Sequence, residues 1–199
     1  TNSYKATVIK FDGTNWNLVG TPALGASGAT LYPRLATHNG EVYVAFRDGA
    51  NSHKATVKKF NGSTWINVGS AGFTNAEVNY NLCFTIDNGI PYISFSEGDF
   101  NDPNYRKATV MKYNGSTWVT VGNAGFTQGT INSPSLFVDN GTPYLAFSDG
   151  ANSDKTTVMK FNGSNWINVG APGFALSQFG TSGEHNLIVA NGTPYLAYG

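Results

Sequence analysis

Residues 107–122 read Lys-Ala-Thr-Val-Met-Lys-Tyr-Asn-Gly-Ser-Thr-Trp-Val-Thr-Val-Gly, and close copies stand at 5–20, 54–69 and 155–170. Self-similarity at a fixed period is the signature of a repeat architecture, in which each unit buries its apolar face against the next. The opening lysines, Lys5, Lys54, Lys107 and Lys155, lie 49, 53 and 48 residues apart. They divide a single domain, 1–199, into repeats 5–53, 54–106, 107–154 and 155–199.

Every repeat carries two turn dipeptides: Asp12-Gly13, Asn39-Gly40, Asn61-Gly62, Asn88-Gly89, Asn114-Gly115, Asn140-Gly141, Asn162-Gly163 and Asn191-Gly192. Flanked by β-branched and aromatic residues, such pairs predict two-residue hairpins, because both turn positions need positive φ. Two hairpins make four strands per repeat. Four short antiparallel strands recurring at this spacing predict an all-β fold, a β-propeller of four four-stranded blades. In blade order the strands are A (around Leu136-Phe137-Val138), B (Pro143 to Phe147), C (Thr157 to Phe161) and D (Asn165 to Val169). The first repeat opens on C and D strands and the last closes on A and B strands. The expectation is that residues 5–19 pair with residues 186–198 and close the ring.

Composition narrows the function. Thirteen Phe, ten Tyr, four Trp and 24 Gly fit strands and tight turns. Twelve basic residues balance twelve acidic ones and are spread over all four repeats, which leaves no electrostatic footprint for nucleic acid. Membrane insertion is not expected, because no apolar stretch is long enough to span a bilayer. The lone Cys83 lies in a strand-like run and reads as a small packed residue. The start, Thr1-Asn2-Ser3-Tyr4, has neither an initiator Met nor signal-peptide character, so a mature or excised piece of a longer protein is expected. Low charge with Asn, Gly, Thr and Ser richness points to an extracellular or cell-surface location.

The blade pattern resembles bacterial secreted propeller repeats. Phe60-Asn61-Gly62-Ser63-Thr64-Trp65 resembles a shortened Asp-box of sialidase-type propellers, a motif at the C-to-D turn that ends in a Trp packed between blades. It lacks the leading Ser and the residue between Asp and Gly. The likeness implies the architecture and nothing catalytic. Kelch repeats differ in their glycine doublet, and WD repeats in the Asp after Trp.

Repeated residues read as scaffold. Trp16, Trp65, Trp118 and Trp166 recur once per repeat and are expected between blades, as are Leu24, Phe73, Phe126 and Phe174. Asp48, Glu97 and Asp149 end the B strands and are each followed by Gly; they read as turn formers rather than as paired catalytic carboxylates. The three arginines, Arg34, Arg47 and Arg106, come from different depths of the blade, which argues against a sialidase-like arginine triad. His38, His53 and His185 do not have the spacing of a metal pair. Asp99, Asp102 and Asn104 read as a solvated loop, so no cofactor or metal is expected.

Function is expected where the repeats differ. Aligned on their turns, the A strands place Arg34, Cys83, Ser135 and Asn186 in one column and Tyr32, Asn81, Ser133 and Glu184 in another. Loops on a rigid scaffold carry binding residues. The candidate ligand-binding set is Tyr32, Arg34, Arg47, Asn81, Tyr105, Arg106, Glu184 and His185, at the face of the B-to-C and D-to-A loops. The leading expectation is a non-catalytic module that binds carbohydrate or a partner protein. Alternatives are a structural spacer in a longer surface protein and a sialidase-like or other hydrolase propeller. Oligomeric state stays open, as does whether four blades make the whole ring.

Overall fold

The computed structural model describes residues 4–25, 28–79, 81–175 and 184–199. Among these are three four-stranded antiparallel sheets and two two-stranded ones. The first blade is β3 (Thr30–His38), β4 (Glu41–Asp48), β5 (Lys54–Phe60) and β6 (Trp65–Asn67). The second is β7 (Cys83–Asp87), β8 (Ile90–Ser96), β9 (Ala108–Tyr113) and β10 (Trp118–Thr120), and the third is β11 (Ile131–Asp139), β12 (Thr142–Asp149), β13 (Lys155–Phe161) and β14 (Trp166–Asn168). Half-blades flank them: β1 (Ile9–Phe11) with β2 (Trp16–Leu18), and β15 (His185–Ala190) with β16 (Thr193–Tyr198). No helix among the described residues is long and apolar enough to cross a membrane.

The predicted A-B-C-D order holds in each full blade, with A innermost and successive inner strands in contact. Arg34, Cys83, Ser135 and Asn186 face Ala45, Ser94, Ala146 and Ala197 across their hairpins, so the predicted column is one register position. The B strands of the second and third blades are buried along nearly their whole length, because each is covered on both faces by its neighbours, whereas β16 is largely exposed.

The eight turn dipeptides form two different turns. At A-to-B turns both residues have positive φ, as at Asn140 (49°) and Gly141 (80°), which is the expected two-residue hairpin. At C-to-D turns only the glycine does. There Asn61 keeps an ordinary backbone, and its Oδ1 accepts from the N–H groups of Ser63 (3.0 Å) and Thr64 (2.8 Å). Asn114 and Asn162 repeat this, and Asp12 does so with a carboxylate. The expectation of eight identical hairpins is corrected: the Asx side chain builds a four-residue loop at four of them.

One joint links the blades. The Trp65, Trp118 and Trp166 Nε1–H groups donate to the carbonyls of Val19, Val68 and Val121 in the preceding unit, at 2.7 to 2.8 Å. The glycine after each valine has positive φ and lies under the incoming rings. A Cβ at Gly20 would sit 2.9 Å from the Phe60 ring. Phe73 stacks on Trp118 with ring centroids 4.3 Å apart, and Phe126 on Trp166 at 4.1 Å. The Trp and Phe residues at these joints are interblade packing, as expected.

The predicted ring closure is not formed. β1 pairs only with β2, and β15 only with β16, each as a separate sheet. The first half-blade packs on blade one through Val8, Val19, Leu24, Val44 and Phe46. The last packs on blade three through Leu187, Val189, Tyr144 and Val158.

Candidate functional site

Two adjoining recesses open where the variable loops meet the inner strands. The first, about 410 Å³, is lined by Arg47, Glu77, Asn81, Tyr105, Arg106 and Asn132 together with residues 78, 79 and 98. The second, about 310 Å³, is lined by Arg34, Asn81, Cys83, Ser133, Glu184 and His185 with residues 82 and 134. Asn81 belongs to both, so seven of the eight predicted residues are brought together. Tyr32 is the exception: it sits at positive φ (54°) in a bulge of β3, where the register with β4 shifts, and does not line either recess.

The scaffold sets each side chain. Arg47 ends β4; its Nε–H donates to the Val78 carbonyl at 2.7 Å, and its Nη2 lies 3.4 Å from Glu77. Arg106 leaves the long loop before β9 with φ 57°. Its Nη2 donates to Asn132 Oδ1 at 2.7 Å, while its Nε is buried with no hydrogen-bond acceptor and no carboxylate among the described residues forms an ion pair with it. Asn81 Nδ2–H donates to the Ile131 carbonyl at 3.0 Å. Tyr105 stands edge-on to Phe100, centroids 5.1 Å apart.

His185 is held between a carbonyl and a hydroxyl. Its Nδ1 is 2.8 Å from the Ser133 carbonyl, which can only accept, so Nδ1 carries the proton and Nε2 is left to accept from Thr156 Oγ1 at 3.0 Å. Burial lowers its pKa from 6.5, against the opposing effect of the Ser133 hydrogen bond, which favours a neutral ring at pH 7.

Asp48 and Asp149 are turn formers, as expected. Each carboxylate accepts from a backbone N–H two residues on, an Asn amide and a Thr hydroxyl, at 2.8 to 3.1 Å. Glu97 occupies the same place in blade two but has an extra methylene and a longer loop behind it. Its Oε2 is buried without a partner, and burial, with Asp102 a lesser cause, raises its pKa to about 7. Asp99 and Asp102 accept from the N–H groups of Asn101 and Asn104 within their own loop.

Sequence reasoning missed Glu77 and Asn132, the polar partners of the two arginines. It also read the turn end as scaffold alone. A cavity of about 550 Å³ lies there between blades one and two, lined by Tyr43, Lys59, Ile90 and Tyr113 among others. Lys59 is committed within it, bonding Glu41 and lying 5.6 Å from the centre of the Tyr43 ring.

No family model and no curated protein matches the chain. Solved structures share its fold. A mutant lectin of Aleuria aurantia in complex with Fucα1-6GlcNAc is 12% identical over 98% of this chain and 63% of that one, with a TM-score of 0.63. The same lectin with α-methyl-L-fucoside gives 13% identity, the same coverage and the same score. This chain therefore spans less than two thirds of the lectin's length. A polysaccharide lyase, an ulvan lyase bound to -[GlcA(1-4)Rha3S]-, is 16% identical over 90% of this chain and 50% of that one, with a TM-score of 0.52. The propeller-like architecture expected from the repeats is thus shared with lectins and with an enzyme. The expectation that the chain is no enzyme is overturned as a fold-level reading, because the same fold carries a lyase.

Proposed function

We propose that the chain binds carbohydrate bearing carboxylate or sulfate groups in the paired recesses around Asn81. The observation that carries this reading is Arg106, a guanidinium with a buried Nε that lacks an acceptor, at the wall of a polar cavity. A buried donor left unsatisfied costs about 1–3 kcal/mol, more when charged, and an anionic oxygen offers the stronger of the available bonds. Arg47 is half-engaged by Glu77 and leaves further donors for the same anion. Tyr105 supplies an aromatic face, and Asn81, Glu184 and Arg34 supply donors and acceptors for hydroxyls. A small set of convergent polar groups beside an aromatic is the usual composition of a ligand recess. Sugars occupy the lectin and lyase structures of like fold, an associational support from architecture. A glycan ligand also fits the low-charge, Asn- and Thr-rich composition expected of a protein outside the cell.

Because the residues are drawn unevenly from the blades, one site per chain is expected. The test is an array of neutral and acidic oligosaccharides probed with the parent and with Arg106→Ala. Acidic glycans should be retained by the parent, and the variant should lose about 10- to 100-fold in affinity, the worth of a charge-assisted hydrogen bond. Retention of neutral glycans alone, or equal binding by Arg106→Ala, would count against the assignment.

A further inference from the structure

One residue holds much of the wall of the first recess. Glu97 forms an isolated β-bridge with Val78 on one side and another with Tyr105 on the other. Its carbonyl accepts from the Arg106 N–H at 2.8 Å, and the next residue, Gly98, donates to the Glu77 carbonyl at 2.8 Å. Glu77, Val78, Tyr105 and Arg106 all line the recess, so its shape depends on the backbone at 97 and 98.

The side chain at this position lacks the anchors of its counterparts. From Asp48 to Lys54 and from Asp149 to Lys155 the chain advances six positions, but from Glu97 to Lys107 it advances ten. Thr56 and Thr157 donate to the two aspartates at 2.8 Å, whereas no bond from their counterpart Thr109 reaches Glu97. Glu97 is 5% exposed, its Oε2 has no partner, and no ion pair joins it to Arg106 among the described residues. A carboxyl enclosed in this way is stable uncharged and unstable as an ion, because the charge has lost water and gained no donor. Burial accordingly raises its pKa to about 7, and Asp102 in the same loop adds to the shift.

We propose that Glu97 is a positioning residue for Arg106 and Tyr105: while its carboxyl is uncharged the recess wall stays closed, and ionisation draws the carboxylate toward water and moves both residues out of place. The consequence for ligand rests on the binding of acidic glycans proposed above, whereas the coupling of Glu97 to Arg106 belongs to the ligand-free chain. Binding needs the closed wall, so affinity falls with the fraction of chains that keep it. A group whose folded pKa is raised contributes fully below its unfolded value, and that contribution is lost as pH rises through the folded value. For Glu97 the window runs from 4.5 to about 7. The other charged or titratable groups about the recesses are Arg47 and Glu77, His53 at 3.7 Å from Glu77, and His185 next door. They are common to the parent and a Glu97 variant, so the difference between the two reads Glu97 alone.

The test is titration calorimetry of the full chain and of Glu97→Gln with an oligomer of a uronic acid, at about pH 5 and about pH 8, where its carboxylates are ionised. Between the two the parent should lose roughly 10-fold in affinity relative to the variant. The same pH dependence in both overturns the proposal. NMR of the ligand-free parent gives a reading that needs neither the variant nor a glycan. The Arg106 Nε–H signal should move together with the Glu97 carboxyl carbon, with a midpoint of about 7. An Arg106 signal that stays still while Glu97 titrates overturns the positioning role. Coupled titration in a parent that binds no acidic glycan supports that role and counts against the proposed function alone.

Discussion

Replacing Trp118 with alanine removes a ring that is 6% exposed, stacked on Phe73 and tilted against Tyr113, and it strands the Val68 carbonyl that accepts from Nε1 at 2.7 Å. Buried Trp-to-Ala changes cost about 3–5 kcal/mol. The orphaned carbonyl and the lost stacking each add about 1 kcal/mol, partly counted in that figure already, so a total of about 4–5 kcal/mol is expected. At roughly 2–4 °C per kcal/mol for a chain of this size, the melting temperature should fall by roughly 8–20 °C. The same residue type at the same repeat position gives an internal control. Trp16 is 66% exposed, and Trp16→Ala, measured in dilute single chains, should change stability by no more than about 0.5 kcal/mol. Trp118→Phe keeps a ring and loses the N–H, and should cost about 1–2 kcal/mol. Calorimetric or circular-dichroism melts of the three variants read these values. A Trp118→Ala melt within about 2 °C of the parent, or equal losses at Trp16 and Trp118, would refute the joint as the source of stability.

The two turn classes separate in a glycine test. Asn140→Gly relieves positive φ and should be nearly neutral, whereas Asn114→Gly deletes two side-chain hydrogen bonds and should cost about 1 kcal/mol by denaturant unfolding. Equal effects would mean that the turns do not differ. Glu97, raised by burial to about 7 from 4.5, holds its proton more tightly folded than unfolded. Its contribution is therefore complete below pH 4.5 and lost as pH rises toward about 7, so Glu97→Gln should flatten the stability profile and gain over the parent as pH increases. A parent–variant difference that is the same at about pH 4 and about pH 8 would contradict this. Arg34→Ala and Glu184→Ala, at the exposed mouth of the second recess, should weaken glycan binding while leaving the melting temperature within about 2 °C of the parent.

Strand order was legible because alternating β-rich runs between fixed dipeptides leave one way to pair, and the Arg34–Cys83–Ser135–Asn186 column followed from it. The C-to-D turns were not legible, because Asn-Gly does not disclose whether the Asn backbone or its side chain makes the turn. Closure was misread for a different reason. Complementary end strands show what could pair, while the structure keeps β1–β2 and β15–β16 as separate sheets, each packed on its neighbouring blade. Most of the recess was legible as residues that break the repeat. Glu77 and Asn132 were not, because they reach Arg47 and Arg106 across 30 and 26 residues of chain, Glu77 from a loop and Asn132 from the start of β11. Glu97 sat in a column of turn formers; Asp48 and Asp149 are as deeply buried, and what sets Glu97 apart is an Oε2 with no hydrogen-bond partner.

Binding of an acidic glycan at Arg106 is tested most directly by titration calorimetry of the parent and Arg106→Ala with a purified oligomer of a uronic acid. One site per chain for the parent, weakened about 10- to 100-fold in the variant with its melting temperature kept, is the predicted result. Four equal sites, or binding indifferent to Arg106, would contradict it.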